Sequence, residues 1–171
     1  MRVRVSYIIP KLLVNTKRKK LDIEILKKYI ISCSPTSKIY IGCDSERYKK
    51  KDVWYADYAT VVVIHINGKN GCKIFGEITT EKDFQSKGKP NLRLMTECYK
   101  VSHLYLQLAD VLIDKEVELH LDLNKNPKYA SNEVVQQAVG YIKGVCDIIP
   151  KIKPEAWAAS VAADRFSELV L

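Results

Sequence analysis

Two periods divide this chain, and the point where one gives way to the other constrains its fold more than any single motif. Between Lys38 and Thr80, apolar and β-branched residues gather in short runs: Lys38–Cys43 (KIYIGC), Tyr58–Ile66 (YATVVVIHI) and Cys72–Thr80. Runs of this length bounded by turn residues read as strands, the first ending at Asp44. The link Asn67-Gly68-Lys69-Asn70-Gly71 between the second and third reads as a hairpin connection. From Pro90 the spacing lengthens. Leu94, Cys98, Val101, Tyr105, Leu108 and Leu112 fall 4-3-4-3-4 apart, the stripe of an amphipathic helix of about six turns. Glu116–Asp122 (EVELHLD) then alternates again, with Val117, Leu119 and Leu121 on one face and Glu118, His120 and Asp122 on the other.

Around this centre, Leu21–Ile31 has helical spacing and is stopped by Cys33-Ser34-Pro35-Thr36-Ser37. Asn124–Asn132 is a polar loop, Glu133–Cys146 reads as a helix, Asp147–Ile152 as a last strand, and Glu155–Leu169 as a helix entered after Pro154. The order predicts an α/β protein with a mixed five-stranded sheet, three antiparallel strands followed by two parallel ones, flanked by helices. With no internal repeat and no linker, the expected organisation is a basic arm and short helix over residues 1–37 packed on a domain over 38–171.

Composition excludes several classes. At 171 residues, 47% hydrophobic and 28% charged, the chain can bury a core of its own. No apolar run approaches the roughly 18–20 residues that a membrane span needs. The N-terminal stretch MRVRVSYIIPKLLVNTKRKK has a broken apolar centre and no small-residue cleavage site, so a signal peptide is not expected. Five cysteines without C-x-x-C spacing suggest reduced, mostly buried thiols in a cytoplasmic protein rather than a zinc site. The net charge of +8 is uneven, +10 over residues 1–51 against −2 for the remainder. Lys17-Arg18-Lys19-Lys20 and Lys49-Lys50-Lys51 suit a polyanionic partner such as nucleic acid, although lysine-rich turns are also ordinary solvated surface. The ten Tyr are scattered and are assigned to core and edges rather than to base stacking.

Four carboxylates stand where packing does not ask for them. Asp44 follows the first strand and Asp122 closes the fourth. If these strands are parallel neighbours, both emerge at one carboxyl edge of the sheet. Glu97 lies in phase with Val101, Leu104 and Leu108 on a shoulder of the helix stripe, and Asp164 lies four residues beyond Ser160 on a side otherwise made of Trp, Val and Ala. Acids on packing faces are costly unless paired, and four from separate elements call for a cation. Oxygen ligands favour Mg²⁺ or Mn²⁺. Two such ions about 3.5–4 Å apart activate a water and stabilise the leaving oxygen in phosphodiester hydrolysis. Each residue also has a plain reading: Asp44 as a turn or cap, Glu97 as a first-turn acid, Asp122 as the start of a loop, Asp164 as the partner of Arg165 or Lys153.

Ile41-Gly-Cys-Asp-Ser45, Asn91-Leu-Arg-Leu94 with Glu97, His120-Leu-Asp-Leu123, Gly140-Tyr-Ile-Lys-Gly144 and Lys153-Pro-Glu-Ala-Trp-Ala-Ala-Ser160 with Ala163-Asp164-Arg165 resemble the YkuK-like family of ribonuclease H-like proteins. The likeness covers about Ile39 to Phe166, and the C-terminal run is its most specific part. It implies a ribonuclease H-like fold, a metal-nuclease activity, and metal-binding roles for Asp44, Glu97, Asp122 and Asp164. Three features depart from the family pattern: Glu46 where Gln more often follows the D-S pair, Trp157 where a smaller aromatic is usual, and extra Lys and Asn after Asp122. Glu46 adds negative charge beside the site.

Supporting roles are expected from Ser45 and Ser160 as hydrogen bonders to carboxylate or phosphate, and from Lys153 as a phosphate contact or a brace for Asp164. Lys125 and Lys128 sit in a loop suited to phosphate. His120 is either a proton relay or an ordinary strand residue. The leading expectation is a two-metal nuclease acting on DNA, RNA or hybrid. The alternative is a non-catalytic nucleic-acid-binding or scaffold protein on the same fold. A sugar-kinase-type phosphotransferase would need a glycine-rich loop after the first Asp, but no Gly follows Gly42 until Gly68.

Overall fold

A computed structural model describes residues 20–84, 91–126, 128–129 and 132–170. The basic run Lys17-Arg18-Lys19, with the rest of residues 1–19, lies outside them. Helix α1 spans Ile23–Ser32, and its N-cap Asp22 accepts the backbone N–H of Ile25 at 3.0 Å. Strands β1 (Lys38–Lys50), β2 (Val53–His65) and β3 (Cys72–Lys82) form an antiparallel meander. Helix α2 (Asn91–Leu112) leads to β4 (Glu116–Leu121), which pairs parallel with β1. Helix α3 covers Asn132–Cys146, and a π turn over Ala158–Ala162 runs into α4 (Ala163–Val170).

The sheet order is β3-β2-β1-β4, so it has four strands and not the predicted five. The antiparallel trio and the parallel return are present. The segment expected as the fifth strand makes one bridge, Lys151 beside His120, with Lys151 N–H donating to Leu119 O at 2.8 Å. Lys151 O accepts the Leu121 N–H at 2.9 Å, and the Lys153 N–H reaches Leu123 O at 2.9 Å past the end of β4, so the segment follows β4 without forming a ladder.

Strand β1 also differs. It runs 13 residues rather than ending at Asp44, so Asp44 is interior to it. Its outer half, Ser45–Lys50, is polar and lacks an apolar alternation, but pairs with Val53–Tyr58 of β2. The turn between them is Lys51-Asp52, both at positive φ (47° and 62°), the backbone of a two-residue hairpin made here without glycine.

The helix stripe behaves as its spacing predicts. Leu94, Cys98, Val101, Leu108 and Leu112 are buried and Tyr105 packs against them. They meet Ile39, Ile41 and Cys43 of β1 and Leu119 and Leu121 of β4, with Leu26 and Ile30 of α1 in the same cluster. The opposite sheet face carries Ala59, Val61 and Val63 under Ala158, Ala162 and Ala163. All five cysteines are free; Cys43, Cys98 and Cys146 are buried, Cys33 and Cys72 half-buried. No helix among the described residues is long and apolar enough to cross a membrane.

Candidate metal centre

The parallel register decides where the first two carboxylates go. Cys43 pairs with Leu121 as the last rung of β1 with β4, and the next residue on each strand is acidic: Asp44 and Asp122. Beyond that rung β4 ends while β1 continues beside β2. Alternation turns Asp44 towards the face covered by the π turn and α4, because its neighbours on that face are Gly42 and Ala59.

Asp164, the second residue of α4, is brought to the same place by close packing. Ala158, Ala159, Ala162 and Ala163 are buried, and Gly42 lies directly beneath the turn: a Cβ there would stand 2.6 Å from the Ala159 nitrogen. His120 is fully buried, and the N–H of Ala158 donates to its Nδ1 at 3.0 Å, while Nε2 meets Glu118 Oε2 at 3.0 Å. Both ring nitrogens are therefore engaged, and His120 anchors the π turn rather than standing free as a proton relay. Replacing it by Ala leaves the Ala158 N–H buried and unpaired, an expected loss of about 1–3 kcal/mol.

This anchor gives a pH dependence of known sign. Burial pulls the His120 imidazole below its ordinary 6.5, with Glu118 opposing, so the fold favours the neutral ring. Its contribution is full above that ordinary value and is lost as pH falls through the lowered one. The melting-temperature gap between the parent and His120→Gln is expected to be widest at pH 7.5 and to narrow by pH 5, as read by thermal denaturation.

Asp44 carries the strongest electrostatic mark of a shared site. Its carboxyl is pushed up to about 7, first by burial and then by the charge of Asp122, with Asp164 hydrogen-bonded to it and raising it further. The Ser45 N–H donates to Oδ1 at 2.8 Å and opposes the rise. Glu97 comes from α2 and is only 2% exposed. Burial holds its carboxyl well above the usual range; Ser45 and Arg93 pull it down, Asp44 and Asp122 push it up. Ser45 Oγ donates to Glu97 Oε1. Arg93 lies 3.7 Å from the same oxygen and donates to Ser45 Oγ at 2.6 Å and Ser45 O at 2.9 Å. Asp44 thus stands at the centre of the four predicted carboxylates, coupled to Asp122, Asp164 and Glu97.

They do not yet form a coordination sphere. Among the described residues no three His, Cys, Asp or Glu are grouped so that they could hold a metal ion. Lys153 Nζ stands 2.8 Å from Asp122 Oδ1, a buried oxygen with no aligned hydrogen bond, and its ammonium also feels Asp44 and Asp164. A monovalent cation thus stands against the acids already. The donor chemistry, hard oxygens under mutual repulsion, fits Mg²⁺ or Mn²⁺. Sharing an ion requires Lys153 to leave Asp122 and Ser45 to yield its hold on Glu97.

The remaining predicted residues lie as follows. Ser45 hydrogen-bonds a carboxylate, Lys153 pairs with Asp122 rather than bracing Asp164, and Ser160 Oγ turns back to Ala156 O at 3.3 Å. Lys125 and Lys128 are exposed on the loop after β4. Arg165 pairs with Glu168, not with Asp164. Sequence reasoning assigned no role to Arg93, although its spacing of four from Glu97 on one helix was a usable signal.

Residues 23–168 match the family described as ribonuclease H-like. The chain belongs to the ribonuclease H-like family. The match takes in α1, the sheet and most of the last helix, and so all four carboxylates of this ribonuclease H-like chain. No curated protein and no solved structure matches it.

Proposed function

We propose that the chain is a divalent-metal-dependent nuclease that hydrolyses phosphodiester bonds in DNA, RNA or their hybrid. Family membership supports nuclease or other nucleic-acid-related work. The observation that carries the finer reading is the Asp44 carboxyl, held near 7 between Asp122 and Asp164 at the end of the β1–β4 pairing. Packing three acids together is unfavourable for an empty fold, which makes sense if a cation completes it.

Asp44, Glu97, Asp122 and Asp164 would hold the metal, as one ion or a pair. When bound, it supplies an activated water and charge stabilisation for the leaving oxygen. The chain's own groups prepare the place. Arg93 and Ser45 keep the Glu97 carboxylate at the site until an ion displaces Ser45 from it, His120 and Gly42 seat the turn that carries Asp164, and Lys153, once released from Asp122, would be free to meet a phosphate.

Labelled single-stranded and duplex DNA, RNA and hybrid, incubated with Mg²⁺ or Mn²⁺, test this directly. Cleavage is expected with metal and lost in EDTA, and Asp122→Asn is expected to remove it while binding persists. A second reading has its own support: the ion pairs on Asp122 and Glu97 leave two of the four acids partly neutralised without metal. A non-catalytic nucleic-acid-binding protein would bind these substrates and cleave none of them with either ion.

A further inference from the structure

The outer half of the β1–β2 hairpin continues past the carboxylates, and its rows can be read from the register. On the face that carries Asp44, the next row pairs Glu46 with Asp57 and continues to Thr80 of β3; the row after pairs Tyr48 with Tyr55 and continues to Lys82; the last pairs Lys50 with Val53. The tyrosine rings stack on each other, centroids 5.9 Å apart and planes 21° apart. Both are half-buried, and neither belongs to either core cluster. Lys50 and Lys82 are exposed. The other face of the arm is occupied by its own contacts, with Arg47 4.2 Å above the Trp54 ring and ion-paired to Asp83.

The chemistry of these rows differs in a useful order. Nearest Asp44, Glu46 and Asp57 set two acids directly opposite each other, with Asp57 accepting the Thr80 hydroxyl. This row repels phosphate. A strand leaving the carboxylate site across it must turn its sugar-phosphate backbone away and present bases to the sheet. Four residues beyond Asp44, about 13 Å along the strand, those bases meet a pair of near-parallel rings stacked on each other, with the exposed Lys82 in the same row and the exposed Lys50 in the next. Aromatic rings beside cations are how single strands are gripped without regard to sequence.

The geometry points to a base-stacking platform on this arm: Tyr48 and Tyr55 stack unpaired bases of the nucleic-acid strand that enters the carboxylate site, and Lys50 and Lys82 contact its phosphates. This rests on the nuclease reading only for the strand's destination. It sets two of the tyrosines apart from the core-and-edge role expected of all ten, and it names the substrate as one with an unpaired stretch a few nucleotides from the cut.

Binding of a fluorescein-labelled twelve-residue oligothymidylate in EDTA tests the platform without requiring cleavage. Tyr48→Leu and Tyr55→Leu, which keep apolar bulk but remove the ring, are each expected to weaken binding about tenfold, whereas Tyr48→Phe and Tyr55→Phe bind as the parent does. A blunt duplex, whose bases are already stacked on one another, is expected to bind all five proteins alike. Leu variants that hold the single strand as tightly as the parent, or that lose duplex binding equally, overturn the proposal. Photocross-linking of an iodouracil-substituted strand to the unaltered protein needs no variant to fold: cross-links at Tyr48 or Tyr55 support the platform, and cross-links only elsewhere overturn it. Loss of stacking with intact metal-dependent cleavage, or the reverse, separates this proposal from the nuclease reading.

Discussion

Asp44→Asn is expected to abolish divalent-metal-dependent cleavage, by a thousandfold or more on the order seen when a reaction's central ligand is removed, and at the same time to make the metal-free protein more stable. The two effects have one cause. Asn keeps the shape of the side chain but carries no charge, so it ends the repulsion of residue 44 with Asp122 and Asp164. A carboxyl held near 7 in the fold and near 4 in the open chain favours the protonated native state. Its stabilising contribution is full below 4 and is lost as pH rises to about 7, so above that the ionised group burdens the fold. The gain from Asn should therefore be largest at pH 8, on the order of 2 kcal/mol after allowance for solvent at a half-buried site, and should vanish by pH 4. Thermal melts across pH read it. Mg²⁺ should raise the melting temperature of the parent and leave that of Asp44→Asn unmoved. A variant that melts lower at pH 8 without metal would mean that the acids do not crowd one another, and the site as described would fail.

The second large effect lies at a residue with no side chain. A Cβ on Gly42 would sit 2.6 Å from the Ala159 nitrogen, 2.7 Å from the Ala158 carbonyl carbon and 2.8 Å from the Ala159 Cα. All three are backbone atoms, so no rotamer change relieves the clash. Gly42→Ala is expected to cost about 3 kcal/mol, at or beyond the upper end for overpacking, and to lift the π turn away from β1. Asp164 follows that turn, so cleavage should fall even at temperatures where the variant remains folded. Gly140→Ala on α3 is the matched control: nothing lies within 4 Å of its added methyl, and on a helix the change should stabilise by about 0.5–1 kcal/mol. Urea titrations of the two variants compare them directly. Equal stabilities would show that the turn does not rest on Gly42.

Much of the scaffold was legible because burial is a local, periodic signal. The spacing from Leu94 to Leu112 required one face of a helix to be apolar, and that face is the one buried against β1 and β4. The alternation in Glu116–Leu121 likewise places Leu119 and Leu121 in the core and leaves Asp122 at the strand end. Where pairing is driven by backbone hydrogen bonds alone, the pattern was silent. Ser45–Lys50 has no apolar alternation, so nothing in it signals the extension of β1 past Asp44, and Asp147–Ile152 has strand-type residues but meets β4 at the single Lys151 bridge. The stacking of Tyr48 on Tyr55 was hidden for the same reason, since it depends on a cross-strand register.

The amino-acid order by itself determined which residues are apolar, which elements carry each acid, and that four carboxylates come from four separate elements, because these are properties of residue type and spacing. Only the tertiary structure decided that Cys43 meets Leu121, that a missing Cβ at Gly42 lets the last helix descend on the sheet, and that Lys153 and Arg93 hold the acids in the meantime. Those are contacts between segments distant along the chain. Their free energies depend on distance and burial, which no local pattern encodes.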